Sequence, residues 1–380
     1  MGVNRMRSKM RIVLALCAVG GGIVCSAPWV DSKENDTQTV KLKRYSCIDK
    51  QGIGIEAFSM LMPSDWNFNG GIKWVLDNPG MPAVAAFTVS NPAGREEFEV
   101  FPNQSMWWTD NQMALSITPI GSRYFGMEVR PPVGPLEALK GIVLPRFRQN
   151  VQGLKVASEQ LLPDLAKSVG AGTQSQPGVT ASASGGKIRI LYTKSGMPME
   201  EEIYGVVEKL AFPIQTMTGV HTNLMWTVDY IFSFKSEQGK LDSHAKLFQT
   251  IVTSFKVNPK WFNKYNQVVE YLIQAQIKHI QNVGQLSRII SQTHNEISDQ
   301  MMKSYEDRQK VYDKISDNFS HHIRGVDEYY NPLEGKTVEL PSGYDNVWTN
   351  NLGEYVLSES PSYNPNVGSN LNWQKIEQTK

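Results

Sequence analysis

Between residues 223 and 235 every second side chain is large and apolar: Leu224, Trp226, Val228, Tyr230, Phe232 and Phe234 alternate with Met225, Thr227, Asp229, Ile231 and Ser233. A period of two puts the first set on one face of an extended strand and the second on the other. One full apolar face opposite a half-polar one is the pattern of an antiparallel strand laid on a core. Residues 187–193 and 201–209 have the same strand-forming texture, and Ser195-Gly196 and Thr218-Gly219 punctuate the chain between the three runs. Strands joined by such short breaks predict an antiparallel meander. The chain can cover it, because 41% of its 380 residues are hydrophobic and nine are tryptophan. That composition belongs to a folded core and not to a disordered polymer.

Upstream, Arg5, Arg7, Lys9 and Arg11 form a basic head, and an apolar stretch from Ile12 to about Cys25 follows, weakened by Gly20, Gly21 and Gly22. Ser26 and Ala27 then precede the polar run 31–39. Basic, apolar and small-residue regions in that order predict a removable secretory signal over 1–26. A cut after Ser26 is preferred, since a cut after Ala27 would leave Pro28 just past the scissile bond. The apolar run is shorter than the ~20 residues that span a bilayer, and no second run of spanning length follows. A lipoprotein or an uncleaved anchor is the alternative, although Cys25 follows Val24 and Cys17 follows Leu16, neither of them small. With Cys17 and Cys25 removed, Cys47 is the one remaining thiol, so no intramolecular disulfide is expected and apolar packing must hold the fold. Cys47 itself reads as a small apolar residue, with a nucleophile as the sharper alternative.

The remaining chain divides by texture into a flexible polar leader (27–44), an α/β domain (45–258), a helical segment (259–324) and a β-rich tail (325–380). Within the domain, residues 53–63 are extended and closed by Pro63, and Ala83–Ser90 and residues 97–101 alternate as strands between breakers. Leu136, Leu139, Val143 and Phe147 fall at helical spacing, with Pro135 suited to a first turn and Pro145 warning of an end or kink. Residues 153–158 predict a strand and 159–168 a short helix. The Gly-, Ser- and Ala-rich stretch 170–186 predicts a mobile loop. Asp242 or Ser243 caps a helix through Ile251, and residues 254–257 form a closing strand. The opening strand ending Pro63-Ser64-Asp65-Trp66, the meander, and the final Ile251-Val252-Thr253-Ser254-Phe255 resemble the α/β sandwich of the photosystem II oxygen-evolving extrinsic subunit and its bacterial relatives. That resemblance implies a binding or assembly role and supplies no catalytic residues.

From Pro259 to Arg324 there is no further proline, and Asn258-Pro259 is a helix start signal. Ile290, Ile297, Ser304 and Val311 recur every seven residues, and His294, Met301, Arg308 and Ile315 follow each by four, a diluted heptad seam. A long helix or a helical hairpin is expected there, packed on its own domain or joining copies as a homo-oligomer. In the tail, residues 337–341 predict a strand, and 347–349 and 354–357 flank Asn350-Asn351-Leu352-Gly353, a hairpin signal. Arg324-Gly325-Val326-Asp327, Leu340-Pro341-Ser342-Gly343-Tyr344, Trp348-x-Asn350, Gly353-Glu354-Tyr355-Val356-Leu357-Ser358 and Asn372-Trp373 resemble a C-terminal module of uncharacterised exported bacterial proteins. That family implies no activity.

Chemistry is sparsely signalled. Thirty-eight basic residues against thirty-seven acidic leave a net charge of +1, unlike an electrostatic nucleic-acid binder. No Gly-x-Ser-x-Gly elbow or Walker-type loop occurs, so no catalytic set and no cofactor is assigned. Of the six histidines only His321 and His322 adjoin, and helical neighbours point about 100° apart; no metal site is expected. Glu200-Glu201-Glu202 at a strand start reads as a charged edge that discourages pairing. Tyr344, Trp348, Tyr355 and Trp373 crowd the tail, where aromatic faces either staple a small β unit or stack on a sugar or peptide. They are the candidate ligand-binding residues. The expected fold is α+β: an antiparallel sheet with flanking helices, then the helical segment and the β-rich module. The expected function is an exported, non-catalytic binding or scaffold protein of the cell envelope, its partner an envelope or extracellular protein or glycan. A secreted hydrolase assembled from distant loops and a structural oligomer through the helices are the alternatives.

Overall fold

The computed structural model describes residues 39–168, 175–176, 178–216, 219–281 and 326–379. The expected signal, the first part of the leader and the heptad seam from Ile290 to Ile315 lie outside them. The described chain is mixed α+β, mostly antiparallel strand. No helix among the described residues is long and apolar enough to cross a membrane.

Strands Val179–Lys194, Met197–Thr216 and Gly219–Glu237 make the expected meander, but 16, 20 and 19 residues long. Lys194 pairs with Met197 around Ser195 (φ 53°) and Gly196 (φ 77°), the two positive φ values of a tight hairpin whose twist suits its strands. Residues 179–186, expected as part of a mobile loop, are instead strand, with 180–186 paired to 205–211. Their glycines serve close packing: a Cβ on Gly185 would lie 2.7 Å from the Leu162 carbonyl oxygen, and one on Gly186 3.0 Å from Leu136 Cδ2. Small side chains that resemble loop texture locally are here the condition for packing the sheet. Beyond Gly219–Glu237 the sheet continues through Glu97–Val100, Ala83–Ser90 and Asn67–Trp74, and Gln152–Leu161 flanks Val179–Lys194 on the other side. The strand Gln152–Leu161 takes up Glu159–Leu161, so the following helix is only Pro163–Ser168.

Both faces of the meander are buried. On one, Ile188, Ile190, Ile203, Val207, Trp226 and Val228 pack against Leu139, Ile142 and Val143. Those three belong to a helical run from Pro135 to Phe147, whose middle turn, Leu139–Val143, is π-helical. Pro145 has no N–H to close the ordinary ladder, and the widened turn before it lets the helix continue where the sequence suggested a kink. On the other face, Phe232 and Phe234 join Phe248 and Ile251 of helix Ala245–Thr253 and Trp261, Phe262 and Tyr265 of helix Pro259–Gln281. The single alternation read from Leu224 to Phe234 therefore switches sides. Tyr230 takes a left-handed φ of 48°, its N–H donates to Asp229 Oδ1 at 2.7 Å, and the register slips between Tyr204 and Val206. This β-bulge sends Trp226 and Val228 to one core and Phe232 and Phe234 to the other.

A second sheet joins the ends of the described chain. Strand Thr39–Ile48 lies between Glu56–Pro63 and Glu354–Ser358, and Asn346–Thr349 and Gln374–Ile376 extend it. Residues 39–44, expected as leader, are thus strand, with Leu42 fully buried among Tyr355, Leu357, Val347 and Ile376. On one side their pairing partners, residues 354–358, come from the far end of the sequence, where no local pattern reveals them. The hairpin expected around residues 350–353 is present, with Val347 opposite Leu357 and Thr349 opposite Tyr355.

Asp49 ties the two layers together. Buried to 2% exposure, its carboxylate accepts from the backbone N–H groups of Gly52 and Ile53, from Trp74 Nε1 at 3.0 Å and from Trp261 Nε1 at 2.9 Å. One side chain thus fixes a loop, an edge strand and the start of helix Pro259–Gln281. Asp49→Ala should leave both indole N–H groups unpaired and cost about 2–4 kcal/mol. Asp49→Asn, which keeps one acceptor oxygen, should cost less; urea midpoints of the two variants check the order.

Candidate functional site

The acidic run at residues 200–202 lies inside the sheet and not at its edge. Met197–Thr216 is hydrogen-bonded on both sides, so the three glutamates alternate between two covered faces and each needs a counter-charge. On one face Glu201 is fully buried. It accepts from Arg148 Nε at 2.9 Å and from the Tyr192 hydroxyl at 3.0 Å. Arg148 also reaches Glu99 at 2.6 Å, and Lys235 pairs with Glu97 and, at 3.3 Å, with Glu99. On the opposite face Arg189 meets Glu200 and Glu202, both at 2.9 Å, and Asp242 at 2.6 Å, while Lys187 also reaches Glu202 at 2.9 Å.

These neighbours decide the ionisation. Burial alone would push the Glu201 carboxyl up, but hydrogen bonding and charge from Arg148, with Lys235 behind it, hold it below the usual carboxylate range. Glu202 is lowered in the same way, burial being outweighed by the Tyr204 hydroxyl, Lys187 and Arg189. Arg148 and Lys235 are raised, the pull of Glu201 and Glu99 exceeding the cost of burial. Burial, then the nearby Glu201 charge, pushes the Tyr192 hydroxyl up. Glu201, Glu202, Arg148, Lys235 and Tyr192 are all driven away from neutral titration, whereas a general acid or base works best with a value near the operating pH. The arrangement fixes strands and the helix end at Arg148. Sequence reasoning named the glutamates but missed their partners. The available signal was a charged residue inside an otherwise apolar alternation, as at Arg189 and Lys235.

The four tail aromatics do not share one environment. Tyr355 and Trp373 are buried, Tyr344 and Trp348 half-buried. The Tyr355 hydroxyl accepts from Asn331 Nδ2 at 2.8 Å, and its ring lies in the core with Leu42. Trp373 faces the Lys41 ammonium 5.6 Å from its ring centre, within cation–π range. Trp348 Nε1 is buried without a hydrogen-bond partner among the described residues. Tyr344 packs at the margin of the same core, and burial raises its hydroxyl. Surface is therefore offered by Tyr344 and Trp348, while Tyr355 and Trp373 staple the tail to strand Thr39–Ile48. Cys47 is 4% exposed, and burial pushes its thiol up, which disfavours the nucleophilic thiolate. No group of three or more metal-ligating side chains converges among the described residues. No family model matches the sequence, and no curated protein matches it either.

The buried pair yields a signed prediction. Glutamates lowered in the fold contribute stability that is complete above their unfolded value of about 4.3 and is lost as pH falls through the folded values. Arg148→Met strands a buried carboxylate and should cost about 3–5 kcal/mol near neutral pH. That penalty should shrink on acidification, as Glu201 takes up a proton and no longer needs the guanidinium. Denaturant titrations of both proteins from neutral to acid pH test it; a constant penalty would contradict the assignment.

Proposed function

We propose that the chain is an exported, non-catalytic binding or scaffold protein of the cell envelope, contacting an envelope or extracellular protein or glycan through the tail. The observation that carries this reading is the state of the ionisable clusters. Glu201 and Glu202 are held low and Arg148, Arg189 and Lys235 high by fixed partners, which suits a rigid frame better than proton transfer. The signal-like leader supports export, and the likeness to the oxygen-evolving extrinsic subunit supports a binding role. Tyr344 and Trp348 supply a partly exposed aromatic surface on a hairpin that is itself anchored, and rigid aromatic anchors suit recognition of sugars and peptides. In this reading helix Pro259–Gln281 continues into a long helix or hairpin whose seam, from Ile290 to Ile315, packs on its own domain or pairs copies.

The mature chain should show no turnover against broad hydrolase panels and should cosediment with isolated envelope fractions of its host. A Tyr344→Ala, Trp348→Ala double variant should lose at least about tenfold in retention while its circular dichroism stays that of the folded parent. Turnover abolished by one side-chain change would overturn the reading.

A further inference from the structure

Residues 111–122 and residues 210–228 contain no Asp, Glu, Lys or Arg, and His221 is their one titratable side chain. Charged residues make up 20% of the whole chain, so about six would be expected across these two stretches at ordinary composition. The fold brings both to one end of the sheet. Strand Gln104–Thr109 leads into the short helix Gln112–Ile117, and its last residue, Thr109, pairs with Asn223. On the other side of the ribbon, Thr180 pairs with Ala211. Past those two positions the ribbon has no further strand beside it among the described residues, over the four pairs from Pro213–Thr222 to Thr216–Gly219. At ~3.3 Å per residue that is a projection of about 13 Å.

The side chains at this end are apolar and open. Ala114 and Leu115 turn inward onto the cluster of Trp107, Phe212, Ile214 and Met225. That leaves Met113 and Ile117, one helical turn apart, facing outward. They are 62% and 57% exposed, Ile120 in the following turn is 61% exposed, and Val220 on the ribbon 66%. On the opposite face of the sheet Trp108, Leu224 and Ala211 lie abreast, each half-buried. Asp110 is the single charged residue from 101 to 122, and it is tied to the ribbon. Its carboxylate accepts from the Thr222 N–H at 3.0 Å and lies 3.3 Å from His221 Nδ1. Single exposed apolar residues need no explanation, but a charge-free group of them marks a contact with protein or membrane.

We infer that this end of the sheet docks on a lipid bilayer, with Met113, Ile117, Ile120 and Val220 entering the boundary between headgroups and acyl chains. Shape and charge favour lipid over a protein partner. A ribbon about 13 Å long and two strands wide offers far less than the ~800 Å² per partner of a stable protein interface, whereas a bilayer closes around a projecting tip. The lack of fixed charge suits a zwitterionic surface, where binding follows the apolar area buried. A tryptophan beside the tip, as Trp108 is, favours the same interfacial level. Depth is limited, because the ribbon's outer edges carry backbone N–H and C=O groups without a strand partner, and these are costly in hydrocarbon. The contact is therefore shallow and reversible. It goes beyond the tail-mediated role proposed above and uses a different part of the molecule.

The test is flotation of the mature chain, which keeps the whole unit Thr37–Lys380, with phosphatidylcholine vesicles, beside chromatography for oligomeric state. The chain should float with the vesicles at millimolar lipid, and equally at low and high salt, since screening has no ion pair to weaken. An Ile117→Asp, Ile120→Asp double variant should lower the bound fraction at least about tenfold. Both side chains are exposed, so its circular dichroism should match the parent. Val220→Asp, on the ribbon itself, is an independent check and should lower binding about threefold or more. Val367→Asp, at an exposed apolar residue of the tail, should bind as the parent does. No flotation, flotation lost in high salt, or flotation unchanged by the double variant and by Val220→Asp would each overturn the inference. A dimer in solution that the double variant abolishes would also overturn it, by assigning this end to a second copy. The vesicles hold neither protein nor glycan, so failure here leaves the tail reading standing.

Discussion

Burying charge inside a sheet is the constraint that orders this protein. Glu201 in the middle of Met197–Thr216 has no access to water, and an unpaired carboxylate there would cost more than most single interactions return. Its partner, Arg148, comes from the end of the helical run that covers the sheet, and Arg148 in turn fixes Glu99 on strand Glu97–Val100, which lies beyond Gly219–Glu237 in the sheet. On the other face Arg189 draws in Asp242, at the turn that begins the next helix. The pairs of Arg148 with Glu201 and Glu99 and of Arg189 with Asp242 join elements distant in sequence, so these charges set how helices seat on strands. The specificity comes from the penalty for mispairing and not from the net strength of the pairs.

Parts of this were legible beforehand. Alternation from Leu224 to Phe234, the Ser195-Gly196 turn and the hairpin at residues 350–353 depend on local chemistry, and local chemistry is what a sequence pattern carries. The bulge at Tyr230 was not legible, because nothing in an unbroken alternation marks where the pleat slips. Gly185 and Gly186 misled for a related reason: a glycine that yields room to Leu162 and Leu136 looks, in sequence, like one that yields flexibility. Strand Thr39–Ile48 was read partly as leader because its hydrogen-bonding partners are specified only by the fold.

The same division holds for the sites. Aromatic crowding in the tail was visible, yet burial separates Tyr355 and Trp373 from Tyr344 and Trp348, and burial is a property of the assembled sheet.

The sheet that joins both ends of the described chain has a kinetic corollary. Thr39 faces Ser358 across 319 residues of sequence, and pairings so remote form late, after the loop entropy between them has been overcome. During synthesis, strand Thr39–Ile48 therefore emerges long before the neighbour that will cover one of its sides. Until Glu354–Ser358 arrives, that side presents bare N–H and C=O groups to any other extended segment. A nascent chain of this design keeps that side of Thr39–Ile48 adhesive until its remote partner has been made.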